Sequence, residues 1–479
     1  MSNINRVGQA FAANDAASIK GMHASMTSRN AAQDLPIAII GGGFSGTLLA
    51  INLLRHGVKV ALIERNSTQL AKGVAFGTRR PEHLLNVRAA NMSAFPDDPG
   101  HFLRWMAFSD SEEANRFVPR LTYGVYLREL LVEALGKANA AGQIIDGEAV
   151  SVGFDDDRAR VRLADGAEVE CRSVVLALGN FPPVPHPVFA ALPDTLYRPD
   201  PWAPGAAEGL EEIDHVLVVG SGLTAADVVL SLESGGFAGQ VTVLSRRGLK
   251  PHSHAEIGPV VTPIPDPDRR GSQLVRDVRQ RARQVGWRAA VDALRPHTQN
   301  IWRRHSAQAQ ASFLRHLRPY WDIHRHRLAP HVARRLEALE ASGRLRYAAG
   351  RLIDAQVQGS RAAVSYRPRG QQHAEEIVVD RIYNCAGPEC DLSRVDAPIV
   401  RDLFSQGRIR GDVHALGLDV DHLGRVLGAD GTVQERLLAV GPVTRGEAWE
   451  IVAVPDIRRQ VWGLARLLAD AHWVGGEGL

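Results

Sequence analysis

Two glycine-rich turns, each set between a β-type run and a helical pattern, constrain this chain more than any other feature. The first follows the apolar run Pro36 to Ile40 and reads Gly41-Gly42-Gly43-Phe44-Ser45-Gly46, with a helical pattern continuing through Leu54. In a strand-turn-helix of this kind the three glycines have different tasks. Gly41 lets the chain turn sharply, Gly43 lets backbone approach a pyrophosphate, and Gly46 lets helix and strand pack closely. The helix N-terminus then faces the phosphate charge with free N–H groups. A second strand, Val58 to Ile63, ends at Glu64, where a carboxylate can accept hydrogen bonds from both ribose hydroxyls of a dinucleotide.

The second turn follows His215 to Val219 and reads Gly220-Ser221-Gly222-Leu223-Thr224-Ala225, with a helix through Leu232. Ala225 takes the third glycine position, where a methyl group still fits. The next strand, Gln240 to Leu244, ends in Ser245-Arg246-Arg247 instead of an acid. Guanidinium groups and a hydroxyl bind a 2′-phosphate that a carboxylate would repel, so this turn is expected to take NADPH. Two such turns imply two dinucleotides, one of them normally a flavin; the expected cofactors are FAD and NADPH. Two further strands, Ser173 to Asn180 and Arg381 to Pro388, end in small residues and are read as the points where the chain crosses between the two domains.

The rest of the composition narrows the partners. The 479 residues are 45% hydrophobic, enough for the cores of two or three domains. With 56 basic against 53 acidic residues the net charge is only +3, which gives no argument for nucleic acid. Cys171, Cys385 and Cys390 are too few for a disulfide framework and are read as structural, in a reducing cytoplasm. The uncharged run Leu35 to Leu54 is broken by Gly41, Gly42, Gly43 and Gly46, so it reads as buried strand and helix and no membrane partner is expected. Residues 1–33 read as a flexible extension.

Several longer stretches carry a resemblance. They are Gly73 to Thr78 (GVAFGT), His83 to Ala94 (HLLNVRAANMSA), Phe117 to Leu127, Asp200-Pro201-Trp202, Trp321 to Pro330 (WDIHRHRLAP), and Gly441 to Arg458 (GPVTRGEAWEIVAVPDIR). With the glycine turns, they resemble the two-dinucleotide-domain flavoproteins, specifically the bacterial FAD/NAD(P)-binding family near the flavin-containing, N-hydroxylating and Baeyer–Villiger monooxygenases. The resemblance implies an FAD domain built from both ends of the chain with an NADPH domain between them. It places Gly41, Gly43, Gly46 and Glu64 at the adenosine half of FAD, Asn86, Arg88 and Asn91 near the flavin ring, and Gly441 where the site closes. Arg445, Trp449 and Glu450 are read either as part of that site or as a packing corner for the last helix. One departure stands out: Asn180 to Trp202 contains Phe181, His186 and Trp202 but lacks the glycine and spacing of the phenylalanine-glycine-histidine fingerprint of flavin-containing and Baeyer–Villiger enzymes.

Residues 250–330 exceed what a nicotinamide domain needs, and their helical runs are rich in Arg, Gln, Trp and His. They are read as an insertion over the crevice between the domains, where ligands of open α/β sheets bind. His252, His254, Trp321 and His324 are the candidate substrate-pocket residues. The i, i+2 spacing of His252 with His254, and of His324 with His326, does not place a pair on one helical face, so no metal is expected.

The expected fold is α/β with two Rossmann-like domains, the FAD domain discontinuous and the NADPH domain carrying a mainly helical insertion. The expected division is 34–193 and 386–479 for FAD and 194–385 for NADPH, with the insertion at 250–330. The expected function is a monooxygenase in which NADPH reduces FAD and a C4a-(hydro)peroxyflavin oxygenates a small organic substrate, by N-hydroxylation or Baeyer–Villiger insertion. The partners are then that substrate and dioxygen, and no protein nucleophile is required. Two other readings stay open: a reductase passing electrons from NAD(P)H through FAD to a ferredoxin-like protein, and a non-catalytic redox sensor.

Overall fold

In the computed structural model the described residues are 34–471, apart from 204 and 207. The segment 1–33, read above as a flexible extension, lies outside them. The first sheet runs, edge to edge, through Arg425–Leu427, Val433–Ala439, Ser173–Leu176, Ile37–Ile40, Val60–Glu64 and Gly142–Asp146. All its pairings are parallel except the Arg425–Leu427 edge. Ile37–Ile40 sits at its centre and is buried on both faces: Ile37 and Ile39 pack among helices, and Ala38 and Ile40 share a core with the strands 149–171 and the helix Pro398–Ser405. Strands from both ends of the chain share this sheet, so the domain is discontinuous.

The helix Phe44–Arg55 leaves the first glycine turn and buries every residue but Arg55, packed between the helices Arg120–Lys137 and Val454–Leu468. The second sheet runs Glu375–Val379, Arg361–Pro368, Leu345–Gln358, Gln240–Ser245, His215–Val219, Arg381–Asn384 and Tyr197–Arg198. Its strands are parallel from Leu345–Gln358 to Tyr197–Arg198 and antiparallel beyond. The architecture is the doubly wound α/β arrangement anticipated from the two turns.

Two additions were not anticipated. Ala149–Phe154, Ala159–Leu163 and Glu168–Cys171 form a separate antiparallel sheet, in which Ala159, Val161 and Leu163 are buried and Arg160 and Arg162 exposed, the period-2 signature of a half-buried strand. The strand Leu345–Gln358 is long because, past Ala349, it leaves its parallel neighbour and from Gly350 pairs antiparallel with Arg361–Pro368, with a bulge between Leu352 and Asp354.

The insertion is helical: Gly271–Val285, Trp287–Leu294, Thr298–Arg303, Ala307–His316 and Arg318–Arg325. It docks on the C-terminal segment through Trp302, whose ring stacks on Trp449 at 4.8 Å while Phe313 meets Trp449 edge-on at 5.5 Å. Among the described residues, no helix is long and apolar enough to cross a membrane.

Candidate nucleotide sites and the seam between them

At the first turn, Gly41 has φ +106° and a Cβ there would lie 2.5 Å from the carbonyl oxygen of Ala177, at the end of the neighbouring strand. A Cβ at Gly46 would collide with the carbonyl oxygen of Gly41, so this residue is fixed by helix-to-turn packing. Gly43 differs: its missing Cβ would meet nothing closer than Cα of Gly73, at 3.6 Å. An open cradle is therefore left where the helix Phe44–Arg55 begins. Glu64 accepts from the backbone N–H groups of Gly42 at 2.7 Å and Asn66 at 2.9 Å, which holds its carboxylate at the mouth of the turn. Each carboxylate oxygen keeps a further lone pair for a ribose hydroxyl. The turn fits a dinucleotide.

The second turn repeats this geometry. Gly220 has φ +104°, and a Cβ there would collide with the carbonyl oxygen of Cys385. Gly222 has no atom within 4 Å of its Cβ position, and Ala225 is buried beneath it. Ser245 is tied into the turn: its hydroxyl receives Ser221 Oγ at 3.0 Å and the N–H of Gly248 at 3.0 Å. Arg247 donates to the carbonyl of Arg315 at 3.1 Å, which links the turn to the insertion, whereas Arg246 is exposed.

The segment His83 to Arg88 reaches the second domain. Arg88 donates to the carbonyls of Ala255 at 2.5 Å, Asn115 at 2.8 Å and Glu256 at 3.2 Å. The carbonyl of Asn86 receives His254 Nε2 at 3.0 Å. Sequence reasoning missed four residues beside them. Arg120 forms a 2.7 Å ion pair with Asp227, and His83 Nε2 meets Ser231 Oγ at 2.8 Å. Asp227 and Ser231 lie one turn apart on the helix Leu223–Ser234 that leaves the second glycine turn. The signal was there to find: an acid and a hydroxyl at i, i+4 inside the otherwise apolar run LTAADVVLSL.

Asn91 and Gly441 are both tied to the last helix, Val454–Leu468. The carbonyl of Asn91 accepts from Arg458 at 3.2 Å. Gly441, at φ +82°, donates its N–H to Gln460 at 2.8 Å, and a Cβ there would collide with Ser45 Oγ in the first turn. A cavity of about 550 Å³ opens beside them, between the insertion and the last helix. Asn91, Arg295, Asn300, Asp421, Asp456 and Arg458 are among its lining residues. None of its lining residues belongs to either glycine turn.

None of the four candidate substrate-pocket residues lines that cavity. His252 and His324 come together, their rings 4.7 Å apart, with Trp287 5.0 Å from each. His254 is turned to the seam, where burial and then Arg327 lower its pKa to about 4. It is neutral at pH 7, with Nε2–H committed to Asn86. Trp321 faces the C-terminal motif, donating to Glu450 at 2.7 Å. Arg325 Nε lies 2.9 Å from the other oxygen of Glu450, an ion pair lacking the alignment of a hydrogen bond. Trp449 and Glu450 thus form a docking corner for the insertion.

Residues 38–181 match a family model described as FAD-NAD(P)-binding, and residues 141–309 match one described as L-lysine 6-monooxygenase/L-ornithine 5-monooxygenase. No curated protein sequence is significantly similar to the chain. Among solved structures, L-lysine 6-monooxygenase from Pseudomonas syringae is 17% identical with a TM-score of 0.65, covering 91% of this chain and 99% of its own. The cadaverine monooxygenase of desferrioxamine biosynthesis from Erwinia amylovora, bound to FAD, is 13% identical with a TM-score of 0.63, covering 91% and 94%. The ornithine N-hydroxylase of Kutzneria sp. 744, with reduced FAD, NADP+ and L-ornithine, is 15% identical with a TM-score of 0.59, covering 91% and 98%. At these identities the structural likeness establishes the fold, and the two family matches carry the relationship. The chain has the two-dinucleotide fold, with an FAD-NAD(P)-binding match over 38–181 and a match to the L-lysine 6-monooxygenase/L-ornithine 5-monooxygenase model over 141–309.

Proposed function

We propose that this protein is an FAD- and NADPH-dependent monooxygenase that hydroxylates the nitrogen of a small primary amine. The observation that carries the reading is the lysine/ornithine monooxygenase match across 141–309, which includes the second glycine turn and runs into the helical insertion. Bound FAD would supply the redox chemistry, taking hydride from NADPH and activating dioxygen. The chain supplies position and enclosure. Gly43 and the start of the helix Phe44–Arg55 would receive the FAD pyrophosphate and Glu64 its adenosine ribose. Gly222 would receive the NADPH pyrophosphate, and Ser245 and Arg246, with Arg247, its 2′-phosphate.

The cavity beside Asn91 bears on the choice between N-hydroxylation and Baeyer–Villiger insertion. Its lining mixes Arg295, Arg458 and Arg459 with Asp421 and Asp456. Arg295 already pairs with Asp456 at 3.3 Å and Asp421 with Arg425 at 2.8 Å, and such polar, ion-paired walls suit a hydrogen-bonding amine better than an apolar ketone, which would strip water from them without replacing its hydrogen bonds. The insertion, fastened by Trp302 on Trp449, would keep bulk water from this side.

The test is product analysis. FAD-reconstituted protein with NADPH and dioxygen is offered lysine, ornithine, cadaverine and a cyclic ketone. A hydroxylamine from at least one amine, with NADPH consumed in step, is the expected result. An ester from the ketone with no hydroxylamine, or NADPH consumption with no oxygenated product, contradicts it.

A further inference from the structure

We propose that Arg120 and Asp227, with His83 and Ser231, are positioning residues that lock the two nucleotide-binding domains in the orientation needed for hydride transfer. The inference rests on the two-cofactor reading above and adds that the NADPH domain does not swing during turnover.

The contact is built from both sides. Arg120 opens the helix Arg120–Lys137; its backbone N–H donates to the carbonyl of His83 at 2.9 Å and its Nε to that of Leu84 at 3.3 Å. Its remaining reach goes to Asp227 Oδ2, at 2.7 Å, with side chains only 18% and 9% exposed. His83 is held from behind by Thr78 Oγ1 at 2.8 Å and packed edge-on by Trp202 at 5.6 Å. Its Nε2 meets both Ser231 Oγ at 2.8 Å and the carbonyl of Asp227 at 3.2 Å. Burial is the largest influence on both titrating groups, lowering the pKa of His83 and raising that of Asp227.

All these contacts grip one face of the helix Leu223–Ser234, whose first turn is the second glycine cradle. The direction of that helix decides where a dinucleotide bound at Gly222 points. A swing of the second domain would part Arg120 from Asp227 and leave both charges desolvated and unpaired, which is strongly unfavourable. A second fastening, Arg88 to Ala255 and Glu256 with His254 to Asn86, lies along the same seam and opposes rotation about the first. Hydride transfer is sensitive to misplacement on the scale of an ångström, so a loosened seam slows it while each nucleotide still binds.

The test uses the full chain. Spin labels at Asp165→Cys and Gln372→Cys, exposed positions on the first and second domains, are introduced in a Cys390→Ser background. The unaltered seam is expected to give one narrow distance distribution, with and without NADPH. Asp227→Asn is expected to broaden it and to slow anaerobic flavin reduction by NADPH about tenfold or more, while affinities for FAD and NADPH stay within about twofold. Arg120→Lys, which keeps the charge, is expected to recover most of both. Should Asp227→Asn not fold, Ser231→Ala, which removes only a neutral partner, is expected to show smaller effects of the same sign. A broad distribution before any change at the seam overturns the proposal. So does a variant whose distances do not change, or, in an enzyme that NADPH reduces, one that keeps its reduction rate or loses rate and affinity equally. The distance arm needs no flavin: if the enzyme is not reduced by NADPH yet the seam is narrow and the variants broaden it, the function fails and the lock stands.

Discussion

The indole N–H of Trp321 donates to Oε1 of Glu450 at 2.7 Å, joining the helical insertion to the C-terminal segment 129 residues away in the chain. Glu450 is buried and has φ +72°, a conformation that costs a non-glycine residue about 1–2 kcal/mol. Strain of that size persists where surroundings over-determine it, and here they are Trp321, Arg325 and His326. The insertion is therefore held by a buried carboxylate as well as by the Trp302–Trp449 stack.

That carboxylate should make stability depend on acidity. Burial alone would raise the pKa of Glu450, but His326, Arg325 and Trp321 outweigh it and hold it at about 2. Its stabilising contribution is then complete above the unfolded value of about 4.3 and is lost as pH falls toward about 2. Glu450→Gln is expected to lower stability by about 3–5 kcal/mol at pH 7, the scale for removing one partner of a buried pair. Denaturant midpoints of the two proteins should converge as pH falls from about 5 toward about 2. A gap that stays constant over that range would show that Glu450 is not held ionised.

The first glycine turn separates a folding role from a cofactor role. Gly46→Ala places a methyl group on the carbonyl of Gly41 and is expected to reduce the thermal midpoint sharply. Gly43→Ala has room in the protein alone and is expected to keep the midpoint of the cofactor-free chain within a few degrees, while flavin retained after purification falls about tenfold or more. Absorbance of bound flavin per protein and thermal melting of the cofactor-free chain read the two effects. A Gly43→Ala protein that stays fully flavinated would remove the pyrophosphate from this turn.

The two arginines after the second turn are not equivalent. Arg246 is exposed, whereas Arg247 already donates to Arg315. Arg246→Ala is expected to raise KM for NADPH about tenfold, the worth of a charge-assisted hydrogen bond, and to leave KM for NADH nearly unchanged. Arg247→Ala should do less to that ratio and more to stability. Equal effects on both coenzymes would take the 2′-phosphate away from Arg246.

The backbone features were the legible part of this molecule. Gly46 is required by the carbonyl of Gly41 in its own turn, and Gly41 and Gly220 by their positive φ, so the spacing could be read directly, as could the strand leading to Glu64; the contacts of Gly41 with Ala177 and of Gly220 with Cys385 come only from the fold. The helical character of 271–325 was likewise visible in its composition. What was hidden depends on residues distant in the chain. Asp227 and Ser231 stand out as an i, i+4 polar pair in an apolar helix, but their partners Arg120 and His83 are supplied only by the fold, as are the insertion carbonyls to which Arg88 is bonded. His252, His254, Trp321 and His324 were grouped by residue type, and the fold separates them into three neighbourhoods. The short antiparallel strand Ala159–Leu163 shows its alternation in the sequence, but at five residues it carries too little pattern to reveal which strands it pairs with.

Hydride transfer requires the nicotinamide of NADPH held at the second turn to reach the flavin held at the first. Anaerobic stopped-flow mixing of the FAD-reconstituted protein with NADPH tests it most directly. Rapid, single-turnover bleaching of the oxidised flavin spectrum, faster with NADPH than with NADH, is the predicted result. A flavin that binds stoichiometrically yet stays oxidised in the presence of both coenzymes would contradict the account.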